Sequence, residues 1–501
     1  MTADNSLFMF ITKKWYLIPL LAFLLPLIVR IIPEVLVGPY IVGFDTMGFY
    51  APNTLEWLYG GIDFWRYLAV APLFYAFLMS LVSAGMSVIV ALKVLSPLLL
   101  GLLGLSIYCY AHKGLGWSSL KSLAPALLGT IYFVALRISW DMLRTELGLI
   151  FLFIVLTLLT QIKGGSWKRC VVLSLAMVAV VLSHQLVAVI MLGVVVFTVV
   201  HDLFYKDFRK SVILLVTTFP AAVFALVVYF FAAVSVGFQD YTTSTELLLG
   251  GWLGFSSYPD MLLSEVGFFL FCFLPLLPLV VFGFKRLCDF QLRCWLVLSL
   301  FLLLLPFAFV SPYRWLLLLV YPFAFFVVDA VSGLRVIRWK RFKITAQKIA
   351  IFYLVLSTVI FSFGYLFSPP ERPFFYFSPQ CINSYSYQIP TSMQQNTISV
   401  ADFQGTINAL RWFEENKKPG DLLLTHTVFY SWALLTLNDV AVVNYDFGDP
   451  VEAASIAKQD GYAQIFLVWW IDGEGWYAQS SLPSVFQEIY RSERIAIYFY
   501  D

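Results

Sequence analysis

Charged side chains are scarce in this sequence. They make up 12% of its 501 residues, where a soluble protein carries about 25%. With 60% of residues hydrophobic and a mean hydropathy of +0.83, no single soluble core could hide the apolar surface. A soluble enzyme, a disordered chain, a collagen-like chain and a disulfide miniprotein are excluded, and the chain belongs in a bilayer. Histidine (4) and cysteine (6) are also few, and their spacing matches no metal-ligand pattern. No G-x-G-x-x-G and no P-loop occurs, so no nucleotide site is signalled. The net charge is only +2, which suggests no nucleic-acid partner. No convincing internal repeat is found.

What is abundant is long apolar runs. A spanning helix needs roughly 20 mainly apolar residues. Eleven candidate spans fill the first 367 residues: Trp15–Leu36, Ser87–Tyr110, Ser122–Ile138, Leu147–Ile162, Cys170–Leu182, Leu186–Phe204, Ser211–Val236, Val266–Phe284, Trp295–Val310, Tyr313–Leu334 and Ile349–Phe367. Pro72–Val82 is apolar but short, and reads as a helix on the membrane surface. Cys170–Leu182 is short too, but basic loops flank it and its neighbour, so the two form a hairpin turning at Ser183-His184-Gln185. The first apolar run is too long for a signal peptide and lacks a small-x-small cleavage site. With the N-terminus inside, nineteen of the 32 Lys and Arg fall on the inner face and six on the outer side before residue 368, as the positive-inside rule asks. An odd number of spans puts the tail outside. Of the cysteines only Cys381 is then external, so no external disulfide forms within one chain.

The tail is a second domain. Residues 368–395, rich in Pro, Ser, Tyr and Gln, read as a linker between the membrane domain (1–367) and a soluble extracytoplasmic domain (396–501). Val400–Asn416 is an amphipathic helix stopped by Pro419-Gly420. Strands Leu422–His426, Val440–Asn444, Ile465–Trp470 and Ile495–Tyr500 then alternate with helices Tyr430–Leu437, Val451–Gln459 and Pro483–Tyr490. That order predicts a small parallel α/β sheet.

The few outer charges are the place to look for chemistry, because a charge at mid-membrane costs ~2.5–3.5 kcal/mol on insertion scales. The first outer loop, 37–86, holds Asp45, Glu56, Asp63 and Arg66; Lys93 lies just inside the next span. The second loop holds Asp141 and Arg144, with Arg137 before it and Glu146 beyond. His184 is at the hairpin turn, Asp240, Glu246 and Asp260 lie in a later loop, and Arg314 ends a short turn. Every basic residue in the outer loops is Arg, whose planar, permanent charge suits phosphate.

The stretch Gly43-Phe44-Asp45-Thr46-Met47-Gly48-Phe49-Tyr50-Ala51-Pro52 follows the first span. After it come Gly60-Gly61-Ile62-Asp63-Phe64-Trp65, Ala71-Pro72-Leu73-Phe74-Tyr75 and Lys93. This resembles the start of a GT-C-fold membrane glycosyltransferase, the superfamily of protein mannosyltransferases, aminoarabinose transferases and oligosaccharyltransferases. Tyr313-Arg314-Trp315 before a late span and a soluble outer domain after the last span fit the same pattern. The resemblance implies a polytopic α-helical protein of about eleven spans with a small C-terminal α/β domain. It implies a sugar donor on a polyprenyl (dolichyl-type) phosphate and an acceptor protein, glycan or lipid reached from the outer face. Transfer would be a single, inverting displacement needing no metal or other cofactor. Asp45 would be the general base, worth typically 10²–10⁴-fold. Arg314, then Lys93, Arg144 and Arg137, would meet the departing phosphate, and Tyr50, Asp63, Asp141 and His184 complete the expected substrate-binding set.

Plainer readings stand beside these. Asp45 could cap a helix. Asp63 with Arg66, and Asp141 with Arg144, could be i,i+3 ion pairs. Arg314 could snorkel to the interface, and His184 could be a satisfied turn residue. Trp469-Trp470-Ile471-Asp472-Gly473 imitates the W-W-D-x-G signature of oligosaccharyltransferases, but an Ile splits it and it reads as a core strand and turn. The rival functions are a transporter or flippase of lipid-linked or small solutes, an oligosaccharyltransferase-like enzyme, and a non-catalytic binder of lipid-linked sugar. Lys93 and Asp329 are the ionisable groups within spans that a transporter could use.

Overall fold

Apolar sequence makes the helices of this chain, and a few local features break them. The structure, a computed structural model, describes residues 17–162, 166–236, 257–304, 312–334, 346–382, 389–438, 441–445, 448–473 and 482–501. Lys13, Lys14, Lys163, the basic run 335–343, Asp240 and Glu246 lie outside the described residues, as do residues 305–310 of one expected span. The chain divides into two compact units that alternate along the sequence: Met1–Ile32, Ile62–Ser80 and Val94–Gly364 in the first, Pro33–Gly61, Leu81–Lys93 and Tyr365–Asp501 in the second.

The first unit is helical. Its helices are α1 (Leu17–Leu36), α2 (Val88–Gly114), α3 (Ser119–Ile131), α4 (Phe133–Asp141), α5 (Leu143–Gln161), α6 (Trp167–Ser183), α7 (Gln185–Phe204), α8 (Phe208–Ala232), α9 (Tyr258–Phe273), α10 (Leu277–Arg286), α11 (Phe290–Leu303), α12 (Tyr313–Gly333) and α13 (Ala346–Phe367). The last residues of α1 and the first of α2 belong to the second unit. Among the described residues, seven helices are long and apolar enough to cross a membrane, or nine if each of two bent pairs is one span. The protein is a multi-pass membrane protein.

Two of the eleven expected spans are bent. Ser122–Ile138 is not straight: α3 and α4 meet at 58°. Tyr132 is extended there, its hydroxyl donates to the Cys272 carbonyl (2.8 Å), and the freed Ile131 carbonyl accepts from Ser362 (2.7 Å). Val266–Phe284 is two helices, α9 and α10, at 87°. Pro275 and Pro278 sit at that corner, where a ring without N–H ends one helix and starts the next. Helix α6 has 17 residues, longer than the expected Cys170–Leu182, and α11 covers Phe290–Leu303, short of residues 305–310 of the expected span, which lie outside the described residues. The α6–α7 hairpin itself is present, with His184 the one non-helical residue between the helices. Helices α10 and α12 touch at Gly283, where a Cβ would collide with the Phe326 carbonyl oxygen.

The second unit is built on a five-stranded sheet, ordered β2-β1-β3-β5-β4: β1 (Asp421–Thr425), β2 (Ala441–Asn444), β3 (Gln464–Trp470), β4 (Phe486–Ser492) and β5 (Ile495–Tyr500). Strand β1 runs parallel to β2 and β3, but β5 is antiparallel to β3 and β4. The sheet is therefore mixed, not parallel. The expected helix at 483–490 is strand β4. Phe486, Ile489 and Tyr490 have helical spacing, yet pairing with β5 across the tight turn at Glu493 (φ +53°) decides the conformation. Neighbouring residues Trp469 and Trp470 point to opposite faces of β3 and both are buried. Both faces are thus covered, by α14 (Phe403–Asn416), α15 (Thr427–Thr436) and α16 (Pro450–Gln459). Gly473 closes a turn onto the Trp470 carbonyl, so the tryptophan pair is the core strand and turn anticipated.

Polar residues 391–399, at the end of the expected linker, are mostly buried, and their hydrogen bonds explain how. Asn396 donates to the Ile41 carbonyl (3.0 Å), and the Gly43 N–H donates to the Gln395 carbonyl (2.9 Å). Gln394 and Ser392 donate to the carbonyls of Leu366 and Ser368 (3.1 and 2.7 Å), and Trp432 donates to Thr397 (3.0 Å). One strap thus joins the first loop, the end of α13 and the sheet domain within this unit.

His426 ends β1 and caps α15, its Nδ1 accepting the Val428 N–H at 3.3 Å. Burial pushes its imidazole down from 6.5 to about 4. The unfolded chain then binds a proton that the folded one refuses, so stability present above pH 6.5 is lost as pH falls toward 4, by roughly 3 kcal/mol. Replacing His426 with Asn, which keeps a cap acceptor, should flatten the pH dependence of the melting temperature between pH 6.5 and 4.5. An unaltered slope in the variant would rule His426 out as its source.

Candidate active site

Asp45 stands at the start of the helical segment that follows the first membrane helix. Gly43, at φ +99°, turns the chain into it. Thr46–Tyr50 form a π-turn in which the Ala51 N–H donates to the Thr46 carbonyl. The next residue is Pro52, which has no N–H and would crowd an α-helical carbonyl behind it; widening the turn accommodates it. Such bulges are frequent at functional sites. Asp45 is half-buried while Thr46, Met47, Gly48 and Tyr50 are buried. The Tyr50 carbonyl accepts from Thr54 Oγ1 at 2.6 Å.

Lys93 belongs to the same unit, and its ammonium is occupied by the backbone. Nζ donates to the carbonyls of Glu34 (2.7 Å), Gly38 (2.8 Å) and Tyr40 (2.5 Å), with Glu34 Oε2 at 3.4 Å. A cation at the end of α1 answers the carbonyls a helix leaves unsatisfied there. Lys93 is thus an anchor for the start of the first loop. Asp63, in the first unit, is similarly engaged: it caps the helix Phe64–Ala69, accepting from the N–H groups of Trp65 (2.9 Å) and Arg66 (3.1 Å).

The remaining expected residues lie on the helices of the first unit. Asp141 does not pair with Arg144. It accepts from Arg137 Nη1 at 2.5 Å, an i,i+4 pair on α4 with both side chains buried. The helix places residues four apart on one face, whereas Arg144 lies beyond the break at Met142. The Arg137 guanidinium also lies 5.0 Å from the Trp140 ring centroid.

His184, outside the candidate spans at the α6–α7 turn, is buried. Its Nδ1 accepts the Leu186 N–H at 3.2 Å, which leaves the ring proton on Nε2. Burial first, then the charges of Arg144 and Arg314, hold its imidazole well below the ordinary value. Three expected residues from α5, the α6–α7 turn and α12 thus share one electrostatic environment. It contains two permanent cations and a neutral donor, which suits an anion.

Two residues here stand outside the expected site set. Arg30, in the middle of the first apolar run, is fully buried, and its Nε donates to both the carbonyl and the hydroxyl of Ser139 at 3.1 Å. Glu146, in the first turn of α5, is fully buried and feels the Arg30 charge. The signal was present: an ionisable residue inside a membrane span is a functional candidate by default. Among the described residues, no three His, Cys, Asp or Glu side chains gather as metal ligands would.

Comparison with solved structures places this architecture. The chain aligns with ArnT from Cupriavidus metallidurans bound to undecaprenyl phosphate at 12% identity, covering 99% of this chain and 98% of that one, with a TM-score of 0.50. It aligns with the apo state of ArnT from the same organism at 14% identity, covering 97% and 98%, with a TM-score of 0.51. The chain therefore has the GT-C fold that its first loop suggested. No protein-family model and no curated protein matches it.

Because Arg137 and Asp141 are buried together, removing one leaves a bare charge, a change that typically costs about 3–5 kcal/mol. Asp141→Asn should lower the melting temperature of the detergent-solubilised protein, and Arg137→Leu with Asp141→Leu should recover most of the loss. Wild-type melting by the single variant would show that the pair does not support the fold.

Proposed function

We propose that this protein is an inverting glycosyltransferase. It moves a sugar from a polyprenyl phosphate to an acceptor hydroxyl on the outer face of the membrane. The N-terminus would be cytoplasmic and the sheet domain extracytoplasmic. The observation that carries the reading is the group Arg144, Arg314 and His184, two guanidinium charges on one buried neutral imidazole. A departing lipid phosphate needs such prearranged positive charge. The shared fold adds support, since one solved protein with it holds undecaprenyl phosphate.

In this scheme the acceptor oxygen attacks the anomeric carbon from the face opposite the phosphate. Asp45 takes the hydroxyl proton as the bond forms. The C–O bond to phosphate breaks with its electron pair, and the negative charge passes to the phosphate oxygens before Arg144 and Arg314. His184 donates through Nε2 without needing to be protonated. Asp141 holds Arg137 in place on α4, and Tyr50 shapes the turn that carries Asp45. Lys93 and Asp63 enter as supports of the first loop, not as ligand contacts. The acceptor class, protein, glycan or lipid, is open to assay. A transporter would want uncommitted ionisable groups within the spans, but Lys93 is bound to carbonyls and Asp329 pairs with Lys121 (2.7 Å) and Arg286 (3.6 Å).

The purified protein, incubated with a panel of radiolabelled polyprenyl-phosphate sugars, should release polyprenyl phosphate from one of them. Asp45→Asn should lower that rate by about 10²–10⁴-fold while donor binding and membrane insertion persist. Transfer by the variant as fast as by wild type would refute Asp45 as the base. Solute flux without transfer would refute the enzyme reading.

A further inference from the structure

The break between α4 and α5 carries charged residues of the proposed site, and one guanidinium from α1 bonds to the α4 side of it and acts on the α5 side through its charge. Asp141 ends α4, Met142 leaves helical geometry (φ −91°, ψ 50°), and Arg144 is in the first turn of α5. A chain break of this kind leaves carbonyls exposed at the end of one helix and N–H groups at the start of the next. Arg30 Nε donates to the Ser139 carbonyl, among the last carbonyls of α4, and to the Ser139 hydroxyl, both at 3.1 Å. On the far side, Glu146 sits in the first turn of α5, where a carboxylate complements the helix dipole. Arg30, Ser139 and Glu146 are all buried. The Arg30 charge, and after it the Ser139 hydroxyl, compensate Glu146.

We propose that Arg30 and Glu146 are positioning residues that clamp the α4–α5 break and so hold Arg144 beside His184. The inference rests on the transferase reading for its effect on reaction, but the clamp itself is a statement about this helical unit alone. The fork geometry matters: a guanidinium Nε can hold two acceptors of one residue while its charge faces a carboxylate, whereas an ammonium is a compact point charge. Gly148, one turn along α5, keeps the same helix close to the turn that bears His184. A Cβ there would meet Val187 at 3.2 Å and the His184 Cβ at 3.5 Å. A shift of α5 about its first turn would therefore change what His184 senses.

The test uses the full chain in detergent with two readouts. One is affinity for undecaprenyl phosphate. The other is the titration of His184, followed by NMR in protein labelled with ¹⁵N-histidine. The double variant Arg30→Met/Glu146→Met removes both charges together, so no buried charge is left alone. It should fold and melt near wild type, yet bind undecaprenyl phosphate at least ten-fold more weakly. Its His184 should titrate about one unit higher, as a neighbouring cation moves away. Wild-type affinity together with wild-type His184 titration in that variant would overturn the clamp and leave the pair a packing feature. If the double variant does not fold, Arg30→Lys, which keeps charge without the fork, is read by the same titration and must move it in the same direction. If the wild-type protein ignores undecaprenyl phosphate, the transferase reading fails, while the His184 titration still decides the clamp.

Discussion

Bringing a charge into the apolar body of this chain requires that something answer it, and helix ends do much of the answering. Arg30 meets a terminal carbonyl of α4, and its charge acts on Glu146 in the first turn of α5. Lys93 meets three carbonyls where α1 gives way to the first loop. Asp289 caps α11 through the Leu292 N–H and also accepts from the Tyr110 hydroxyl. Unsatisfied N–H and C=O groups concentrate at helix termini, so a charge placed there finds dipoles already in place. Other charges are answered by a charge of opposite sign, as in Arg137–Asp141 and Lys121–Asp329.

The same logic shapes the second unit in polar rather than charged form. The strap 391–399 is a run of amides and hydroxyls that would be costly to bury unpaired. It is buried because its groups meet carbonyls of the first loop and of the end of α13, and its own backbone N–H and C=O groups are used as well. The segment carrying Asp45 is thus seated on a satisfied hydrogen-bond lattice. Tyr40 packs beside Phe403 and Trp432 on the same side, with ring centroids at 4.6 and 5.6 Å. For the base proposed at Asp45, this lattice supplies a firm mounting without a strand or a straight helix.

Much of the architecture was legible in advance, and the failures are instructive. The apolar runs located the helices, because length and hydropathy are local properties. Three of the four anticipated helices of the sheet domain and all four anticipated strands are present. Strand β4 was read as a helix because Phe486, Ile489 and Tyr490 satisfy the helical period, and only a partner strand could show otherwise. The bends at Tyr132 and at Pro275–Pro278 were read through, since an apolar run looks the same whether straight or broken. Of the candidate site residues, His184, Arg144 and Arg314 were named separately from three distant stretches, and the fold gives them one environment. Asp141 was assigned to the wrong arginine because two spacings were available and the helix break at Met142 was invisible.

The sequence by itself determined that this is a helical membrane protein with a small sheet domain and a GT-C-like first loop, because composition, apolar length and one short motif carry that information locally. Only the tertiary structure decided which groups answer each charge. The reason is that a charge's role depends on what compensates it. For Lys93, Asp63, Arg137 and Arg30 that compensation comes from carbonyls, N–H groups, carboxylates and hydroxyls between two and more than a hundred residues away.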